Sequence, residues 1–586
     1  MKLFYHRISV MAAIMATATA LAIVSAAPAQ AATNTYYIDN QAGCSNSNVG
    51  TSESAPWCDF ANVNATTFGP GTQILLRRGD TWYQSMSIHG SGSSSQQNVI
   101  GAYGSGAAPV IRGTDQATDR TILMRDNPSY WTVQDLELSH AADGIRASYS
   151  TPSPGGLIFR NLYIHDLDYY VQGVPAQSPG PGDYSIYWST SITVDGVPGF
   201  VPGTGPTASN ILIDNVRTEN ATAPSLQAPG CNGPACPTGG LTGVIVRDST
   251  FLDSNGGLSL QGVANATVQS NTISGMGQDA KSSGQTAVFL WGSSNVDVVD
   301  NVIESTADTH SPDQTGIDLE AYNNDIRIRG NLFRNHCGAG IEVLNIDQEN
   351  RPNDFNTNIL IAQNAFYKNE VDPTYGMSGS IVFNSPAGKS SGTIRDNVYY
   401  EPTTPSFIGG SDSSGWTVTN NLSGTNTGLD FSSFNFGSSN PMGNWHQQAY
   451  SGSTWTDMTS WDGNEWSSAD AGTTAFELSP GSNTAFVSQM WQAPTSGTVD
   501  IRGAIQKVAA GGDGVSVLIA KNDTIVWPAP GQGYDIGAND TSVVEAAVSA
   551  IDVVAGDQIR FEVYSWPSGD STADSVVWSP VVSYRP

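Results

Sequence analysis

The sequence predicts an all-β protein in which a right-handed parallel β-helix is followed by a β-sandwich. Two observations predict the helix. Short alternating strands recur with an asparagine at a period of 30 to 33 residues, and the chain is rich in Gly, Ser, Thr and Asn, which is typical of β-proteins with many turns. A third observation, the end of the asparagine repeat near residue 425, predicts the change to a sandwich.

The repeat unit is an alternating strand, an asparagine, a second short strand, a turn and a third strand. Its clearest asparagines are spaced 30, 30, 33 and 33 residues apart: Asn271, Asn301, Asn331, Asn364 and Asn397. Weaker copies carry Asn161, Asn215, Asp135 and Ser249 in this position. Coils stacked about 4.8 Å apart would give every strand parallel neighbours and every asparagine amide a partner in the next coil. An immunoglobulin-like sandwich would not show this period.

Residues 1–31 have the features of a secretory signal peptide. Positive residues precede an apolar run from Ile8 to Val24, and residues 29–31 (Ala-Gln-Ala) form an A-x-A cleavage site. An uncleaved membrane anchor is the alternative, but the run is short for a membrane span. Because no second apolar run of that length follows, we expect a secreted, extracellular protein that does not act in the membrane.

The net charge of −29 comes from scarce Lys and Arg, because only 13% of the residues are charged. An acidic surface repels nucleic acid and anionic lipid, so neither is an expected partner. It also mildly disfavours a polyanionic substrate, although a local basic patch could override the overall field. We expect the protein to be a monomer.

Export permits disulfides, and the five cysteines predict two of them. Cys44 and Cys58 lie near the mature N-terminus, and Cys231 and Cys236 flank a tight segment, so the expected pairs are 44–58 and 231–236. Cys337 is left over and is predicted to be buried as a small apolar residue. A zinc site is not expected, because no histidine lies at ligand spacing beside these cysteines.

Three segments near the mature N-terminus resemble the pectin-lyase-like β-helix proteins of carbohydrate-degrading bacteria. They are Tyr36-Tyr-Ile-Asp-Asn, the segment from Gly71 to Asp80, and Ile100-Gly-Ala-Tyr-Gly, and the similarity extends over about residues 34–425. Pectate lyases, polygalacturonases, glucanases and fructotransferases share this scaffold. The resemblance therefore implies an enzyme acting on an extracellular polysaccharide or oligosaccharide without naming the reaction.

The predicted domains are a catalytic β-helix over residues 32–424, a Gly/Ser/Asn-rich linker over 425–444 and a β-sandwich over 445–586. The last region resembles the jelly-roll accessory domains of bacterial glycoside hydrolases. Its tryptophans could stack on sugar rings: Trp445, Trp455, Trp461, Trp466, Trp491, Trp527, Trp566 and Trp578. Most are expected in the core. The Gly, Ser and Asp around residues 445–466 predict more exposed rings there than at Trp491 or Trp527.

Three consecutive coils align by their third strand and place acidic side chains on one outward face. The aligned rows are Val288-Phe-Leu-Trp, Ile317-Asp-Leu-Glu and Ile341-Glu-Val-Leu. Alternation turns Phe289, Asp318 and Glu342 outward in one column. Trp291, Glu320 and Leu344 form a second outward column. Asp318 and Glu342 should lie one coil apart, about 5 Å, whereas Asp318 and Glu320 are roughly 6.5–7 Å apart on one strand.

Asp318, Glu320 and Glu342 are therefore the predicted catalytic residues. Carboxyl groups this close favour a shared proton, as a general acid beside a base or nucleophile requires. Separations near 5 Å suit retaining glycosidases and those beyond about 6.5 Å suit inverting ones, so the stereochemical outcome stays open. Trp291 is predicted to bind substrate by offering its ring face to a sugar.

Two long loops could overhang this patch and add substrate-binding residues. The loop over 277–285 carries Asp279, and the turn over 308–313 carries His310 and Asp313. A calcium site is an alternative use of the acids, since adjacent carboxylates suit a hard cation, but no metal or other cofactor is required. Ordinary solvated surface acids are the third interpretation.

Three functions compete. The leading hypothesis is a glycoside hydrolase acting on a neutral or weakly charged polysaccharide through the three acids. The second is a polysaccharide lyase that neutralises a uronate with carboxylates and Ca²⁺ and uses Arg or Lys as base; the nearest cations are Arg327, Arg329 and Lys281. The third is a non-catalytic carbohydrate-binding adhesin.

Overall fold

The computed structural model consists almost entirely of β-strands. Among the residues that it describes, the one α-helix is the single turn Ala61–Asn64 (α1). Residues 34–585 are described apart from 115–118, 150, 168–188, 197–207, 228–239, 255, 279–285, 310–313, 346–351, 372–378, 385–388, 402–405, 412, 420, 424–428, 434–435, 452, 483–484, 543 and 566–569. No helix in these ranges is both long and apolar enough to cross a bilayer.

The N-terminal region is a parallel β-helix built from two long sheets. The twelve-stranded sheet contains Thr67–Phe68 (β2), Met86–Gly90 (β5), Arg120–Met124 (β8), Asp143–Tyr149 (β10), Ile192–Gly196 (β12), Ser225–Gln227 (β14), Leu258–Gln261 (β17), Val288–Trp291 (β20), Ile317–Ala321 (β23), Ile341–Leu344 (β26), Ile381–Asn384 (β29) and Ile408–Gly410 (β32). The twenty-two-stranded sheet contains Asn34–Ile38 (β1), Thr72–Arg77 (β3), Thr81–Trp82 (β4), Asn98–Tyr103 (β6), Val110–Arg112 (β7), Trp131–Ser139 (β9), Leu157–His165 (β11), Ala208–Glu219 (β13), Leu241–Arg247 (β15), Thr250–Leu252 (β16), Val263–Gln269 (β18), Thr272–Ser274 (β19), Ser294–Val299 (β21), Val302–Glu304 (β22), Asn324–Arg329 (β24), Leu332–Arg334 (β25), Thr357–Ala362 (β27), Ala365–Tyr367 (β28), Gly392–Arg395 (β30), Val398–Tyr400 (β31), Trp416–Thr419 (β33) and Leu422–Ser423 (β34).

Alternating side chains fill the column between the two sheets. In β21, for example, Val296 and Val298 are fully buried while the intervening Asp297 points outward. One continuous apolar core of such residues extends from Ile38 to Trp416. The predicted parallel β-helix is therefore confirmed, because a stacked coil buries its apolar face against the coils above and below.

The predicted asparagine ladder is confirmed and lies inside this column. The backbone N–H and side-chain amide of Asn301 both donate to Oδ1 of Asn331, at 2.9 Å each. The same pair of bonds joins Asn331 to Asn364 and Asn364 to Asn397, and the last rung is Asn421. Each buried amide is thus satisfied by the next coil, which is what a buried polar group requires.

Of the four weaker copies of the repeat, Ser249 belongs to the inner ladder, as predicted, and the other three belong to a different stack. Asn161 and Asn215 are exposed, have positive φ, and form an outer chain in which Asn215 bonds Asn161 and Asn161 bonds Asp135. The inner position is one residue later, where the N–H of Val216 donates to Ser249. The prediction was therefore wrong by one residue for Asp135, Asn161 and Asn215, because Asp and Asn also suit the left-handed turn that precedes the ladder.

The C-terminal region is a sandwich of two antiparallel sheets around a second core. The nine-stranded sheet contains Leu429–Phe431 (β35), Ser460–Trp461 (β38), Trp466–Ser468 (β39), Ala471–Thr473 (β40), Glu477–Ser479 (β41), Gly497–Lys507 (β43), Val544–Val553 (β47), Val576–Trp578 (β49) and Val581–Tyr584 (β50). The seven-stranded sheet contains Trp445–Ser451 (β36), Thr454–Asp457 (β37), Phe486–Gln492 (β42), Gly514–Lys521 (β44), Thr524–Trp527 (β45), Tyr534–Gly537 (β46) and Gln558–Ser565 (β48). This agrees with the predicted sandwich.

The two regions pack against each other through apolar side chains. Leu332, Ala365 and Val398 occupy successive coils of the twenty-two-stranded sheet and belong to the same apolar cluster as the sandwich core. Within the expected linker, β35 pairs with β50, the last strand of the sandwich. A chain that ends at residue 424 would therefore expose an apolar face, and a sandwich fragment that begins at residue 445 would lack the edge strand β35.

The cysteines agree with the predictions in part. Cys44 and Cys58 form the predicted disulfide. Cys231 and Cys236 lie outside the described residues. Cys337 is half-buried rather than fully buried.

Candidate functional site

Asp318 and Glu342 lie side by side on the outward face of the twelve-stranded sheet. They are directly paired in the register of β23 and β26, between the inward pairs Ile317–Ile341 and Leu319–Val343. Facing positions on adjacent strands place side chains about 5 Å apart. Both residues are nonetheless buried, with 2% and 1% of their surface exposed. The site is therefore a covered carboxylate pair and not a solvated acidic surface.

Glu320 does not stack on Trp291 as the sequence alignment of coils predicts. Strands β20 and β23 pair Phe289 with Asp318 and Leu290 with Leu319, but Trp291 pairs with Ala321. Glu320 is the extra residue of a β-bulge at this point, and it is half-buried. Bulges re-aim side chains, so the second outward column of the prediction is interrupted at Glu320.

Glu342 has a polar neighbour that the sequence analysis did not single out. The amide Nδ2 of Asn384, in β29, donates to Oε1 of Glu342 at 3.2 Å. The adjacent register pairs are Glu342–Val382 and Leu344–Asn384. The sequence Ile-Val-Phe-Asn of β29 could have predicted this neighbour. Its residues alternate inward and outward like those of β26, so the asparagine faces outward on the coil next to Glu342.

The three loop residues predicted to contact substrate lie outside the described residues. These are Asp279, His310 and Asp313, and Lys281 lies there as well. By their place in the sequence, both loops lead directly into strands of the twelve-stranded sheet, β20 and β23. Their contribution to the site stays a prediction.

The two arginines predicted to lie near the acids belong to the other sheet of the β-helix. Arg327 donates to both carboxylate oxygens of Asp297 at 2.8 Å and also bonds Asp325. Arg329 reaches Asp297 at 3.4 Å. Both arginines belong to β24 of the twenty-two-stranded sheet, so neither lies beside the Asp318–Glu342 pair.

A second charged cluster lies in the same sheet closer to the N-terminus, and it reaches the outward face at Arg146 and Asp195. Arg120 contacts Asp143 at 2.5 Å, and Arg146 lies 3.6 Å from Asp143 and 2.7 Å from Asp195. Burial raises the pKa of Asp195 to about 6, although Arg146 and a hydrogen bond from Ser148 act in the opposite direction. This cluster has no signal in the sequence, because its members come from three coils without an aligned motif.

No metal site emerges from the described residues. Within those ranges, no three His, Cys, Asp or Glu side chains are arranged to hold a metal ion. The calcium alternative stays a prediction.

The tryptophans of the sandwich divide differently from the prediction. Trp445, Trp491 and Trp578 are fully buried and Trp466 is nearly so. Trp455, Trp461 and Trp527 are half-buried, and Trp566 lies outside the described residues. The group over 445–466 thus includes the more exposed rings Trp455 and Trp461, as predicted relative to Trp491 but not relative to Trp527, while β36 and β39 turn Trp445 and Trp466 into the core.

A row of aromatic rings crosses the outer face of the seven-stranded sheet. The ring of Tyr450 lies 5.3 Å from that of Trp455 and 5.7 Å from that of Phe486, which in turn lies 4.3 Å from Tyr564. All four rings are half-buried. Arg560 stands over the Trp455 ring at 5.9 Å. Such a row can stack on a sugar and is the best candidate for a carbohydrate contact in the sandwich.

Comparison with known proteins supports the fold. The family described as "Right handed beta helix region" matches residues 206–355 and 237–423. A lacto-N-biosidase of Bifidobacterium longum subsp. longum is 31% identical over 166 residues, covering 22% of this chain and 10% of the relative. The chain thus spans about a tenth of the length of that curated relative.

Two solved structures illustrate the similarity. A lacto-N-biosidase from Eubacterium ramulus aligns over 67% of this chain and 68% of its own, with 15% identity and a TM-score of 0.44. An alginate lyase from Paenibacillus sp. str. FPU-7 aligns over 62% of this chain and 95% of its own, with 14% identity and a TM-score of 0.31. The family match, together with the parallel register of the coils, identifies residues 206–423 as a right-handed β-helix region.

Proposed function

We propose that the protein is a secreted glycoside hydrolase that cuts a neutral or weakly charged extracellular polysaccharide or oligosaccharide. The observation that carries this proposal is the register pairing of two buried carboxylates, Asp318 and Glu342, on an outward face. Glycoside hydrolases use two carboxyl groups that flank the scissile bond. Burial excludes water from such a pair and strengthens its electrostatic effect on a developing positive charge.

The spacing of the pair favours retention of configuration. At about 5 Å, one carboxylate is close enough to attack the anomeric carbon while the other protonates the leaving oxygen. Glu342 receives the Asn384 amide, a donor that suits the ionised carboxylate of a nucleophile. We therefore assign Glu342 as nucleophile and Asp318 as acid and then base. Glu320, displaced by the bulge, is assigned to substrate contact.

The alternative lyase mechanism lacks a catalytic base among the described residues that were predicted for this role. A lyase needs a base beside the uronate carbon. Of the three predicted candidates, Arg327 and Arg329 are bound to Asp297 on the other sheet, and Lys281 lies outside the described residues. The partial sequence similarity to a lacto-N-biosidase supports a hydrolase. Secretion is supported by the signal-like N-terminus and by the Cys44–Cys58 disulfide, since such bonds persist in oxidising compartments.

A panel of polysaccharides tests the proposal and separates the three functions. Reducing ends are measured beside the ultraviolet absorbance of unsaturated uronates. Hydrolysis raises only the reducing ends, and this is the expected result. A rise in both signals would replace the hydrolase by the lyase. If the protein binds a polysaccharide of the panel tightly but raises neither signal on that polysaccharide, the non-catalytic adhesin would replace the hydrolase.

A further inference from the structure

The outward face of the twelve-stranded sheet continues from Asp318 towards the N-terminus as a strip of uncharged side chains. Six residues on β14, β17 and β20 form this neutral strip: Ser225, Gln227, Ser259, Gln261, Phe289 and Trp291. The register pairs them coil by coil in two columns, and Phe289 then pairs with Asp318. All six are half-buried, so each presents part of its surface outward.

The neutral strip has the chemistry of a surface for sugar hydroxyls. Serine hydroxyls and glutamine amides both donate and accept hydrogen bonds, and Gln261 already donates to Ser259 at 3.0 Å within the strip. At its end beside the acids, the rings of Phe289 and Trp291 lie 6.2 Å apart at an angle of 44°. Rings at an angle can line two sides of a sugar-sized space.

Charge is absent from the neutral strip although the chain as a whole carries −29. Its far end meets the Arg146–Asp195 cluster, because Asp195 pairs with Gln227. There Arg120 and Arg146 are matched by Asp143 and Asp195, so two positive charges face two negative ones. A uronate chain on this strip would find no unmatched arginine in that cluster.

We propose that an extended, uncharged oligosaccharide lies along the neutral strip, parallel to the helix axis, with its scissile bond at Asp318 and Glu342. From β14 to β23 there are three coil steps, about 14 Å, which is close to the length of about three sugar units in an extended chain. This inference rests on the proposed function for the position of the scissile bond. The binding surface itself rests only on the register and chemistry of the strip.

The test uses the full chain and a series of neutral oligosaccharides of increasing length, taken from a polymer that the protein binds. The double variant Gln227→Ala/Gln261→Ala removes two amides from the strip, and Gln73→Ala, half-buried on β3 of the other sheet, is the matched control. Binding is measured by calorimetry in a Glu342→Gln background, and kcat/KM is measured with the acids intact.

The wild type should gain affinity and kcat/KM with chain length until the chain covers the strip. The double variant should lose about tenfold for the longest oligosaccharides and little for the shortest, while the control loses nothing. Equal losses at all lengths, or tighter binding of a uronate series of the same lengths, would overturn the inference. Length-dependent binding without hydrolysis would support the neutral strip as a binding surface and contradict the proposed hydrolase activity. Hydrolysis without length dependence would support the hydrolase activity and contradict the binding surface.

Discussion

The hydroxyl of Thr474 donates a hydrogen bond of 2.7 Å to Oδ1 of Asp300 and so joins the sandwich to the β-helix. Asp300 is only 2% exposed, and Glu477 of the sandwich, 7% exposed, lines the same crevice. Asp248 and Glu465 line the same crevice, which has a volume of about 380 Å³. Acidic groups from both regions therefore converge at the contact.

Stability of this contact should fall as the pH rises. Burial first, and then the neighbouring Glu477, raise the pKa of Asp300 well above its usual range. Burial also raises the pKa of Glu465 to about 7 and that of Asp248 to about 6. A raised carboxyl pKa means that the folded state binds more protons than the unfolded state, so the free energy of unfolding falls as the pH rises. The contribution of these groups to stability is complete below about pH 4 and is lost as the pH passes through 6 to 7.

The variant Asp300→Asn keeps the acceptor for Thr474 and removes one titrating group. Melting temperatures measured across this pH range should fall less steeply for the variant than for the wild type. Asp535→Asn, an exposed acid of β46, is the control and should follow the wild type. A slope unchanged by Asp300→Asn would show that this carboxyl group does not titrate differently on folding.

The inner asparagine ladder should be structural. Asn301→Ala and Asn331→Ala each remove an amide that bonds the coils on both sides, leaving buried acceptors without a donor. Each should cost about 1–3 kcal/mol of unfolding free energy. Denaturant titration measures this, with the exposed Asn324→Ala as control, expected within about 0.5 kcal/mol of wild type. Equal small effects at all three positions would contradict the ladder.

The fold was predictable because stacking imposes its period on the sequence. The Asn271 to Asn397 series carries its own spacing, and the 288–291, 317–320 and 341–344 rows carry the alternation that aligns Asp318 with Glu342. Local irregularity was not predictable in the same way. The bulge that moves Glu320 away from Trp291 inserts one residue without changing the alternation of residue types.

Contacts between segments that are distant in the sequence also could not be predicted from the repeat pattern. The Arg146–Asp195 pair joins residues 49 positions apart, and the Thr474–Asp300 bond joins residues 174 apart. Neither pair belongs to a repeated motif, so only the folded register brings them together. The tryptophans of the sandwich show the same limit, because Trp445 lies in a polar stretch and yet faces the core.

The aromatic row of the sandwich should bind polysaccharide in the full chain. Trp455→Ala removes the ring at the edge of the row and should weaken adsorption to an insoluble polymer without lowering the rate on a soluble fragment. Tyr83→Ala, which removes an exposed ring from the β-helix, is the control. Pull-down with insoluble polysaccharide measures the effect. If Trp455→Ala leaves adsorption unchanged, or if Tyr83→Ala lowers it equally, the aromatic row does not bind the polysaccharide.

Hydrolysis should retain the configuration of the anomeric carbon. The register spacing of Asp318 and Glu342, about 5 Å, leaves no room for a water molecule between carboxylate and sugar. Proton NMR of the first product formed distinguishes the anomers before mutarotation. The inverted anomer as first product would require a wider pair, and Asp318 with Glu320 would then be the acids to test.

The most direct test of the central claim is the rate of the amide variants on a confirmed substrate. Asp318→Asn and Glu342→Gln keep the shape of each side chain and remove its acid–base chemistry, so kcat should fall by about 10²–10⁴-fold, with a larger loss for the nucleophile. Melting temperatures should stay near that of the wild type, and Glu304→Gln, an acid on the other sheet, should keep the normal rate. Near-normal rates for both Asp318→Asn and Glu342→Gln would contradict the account and place the active site elsewhere on the helix.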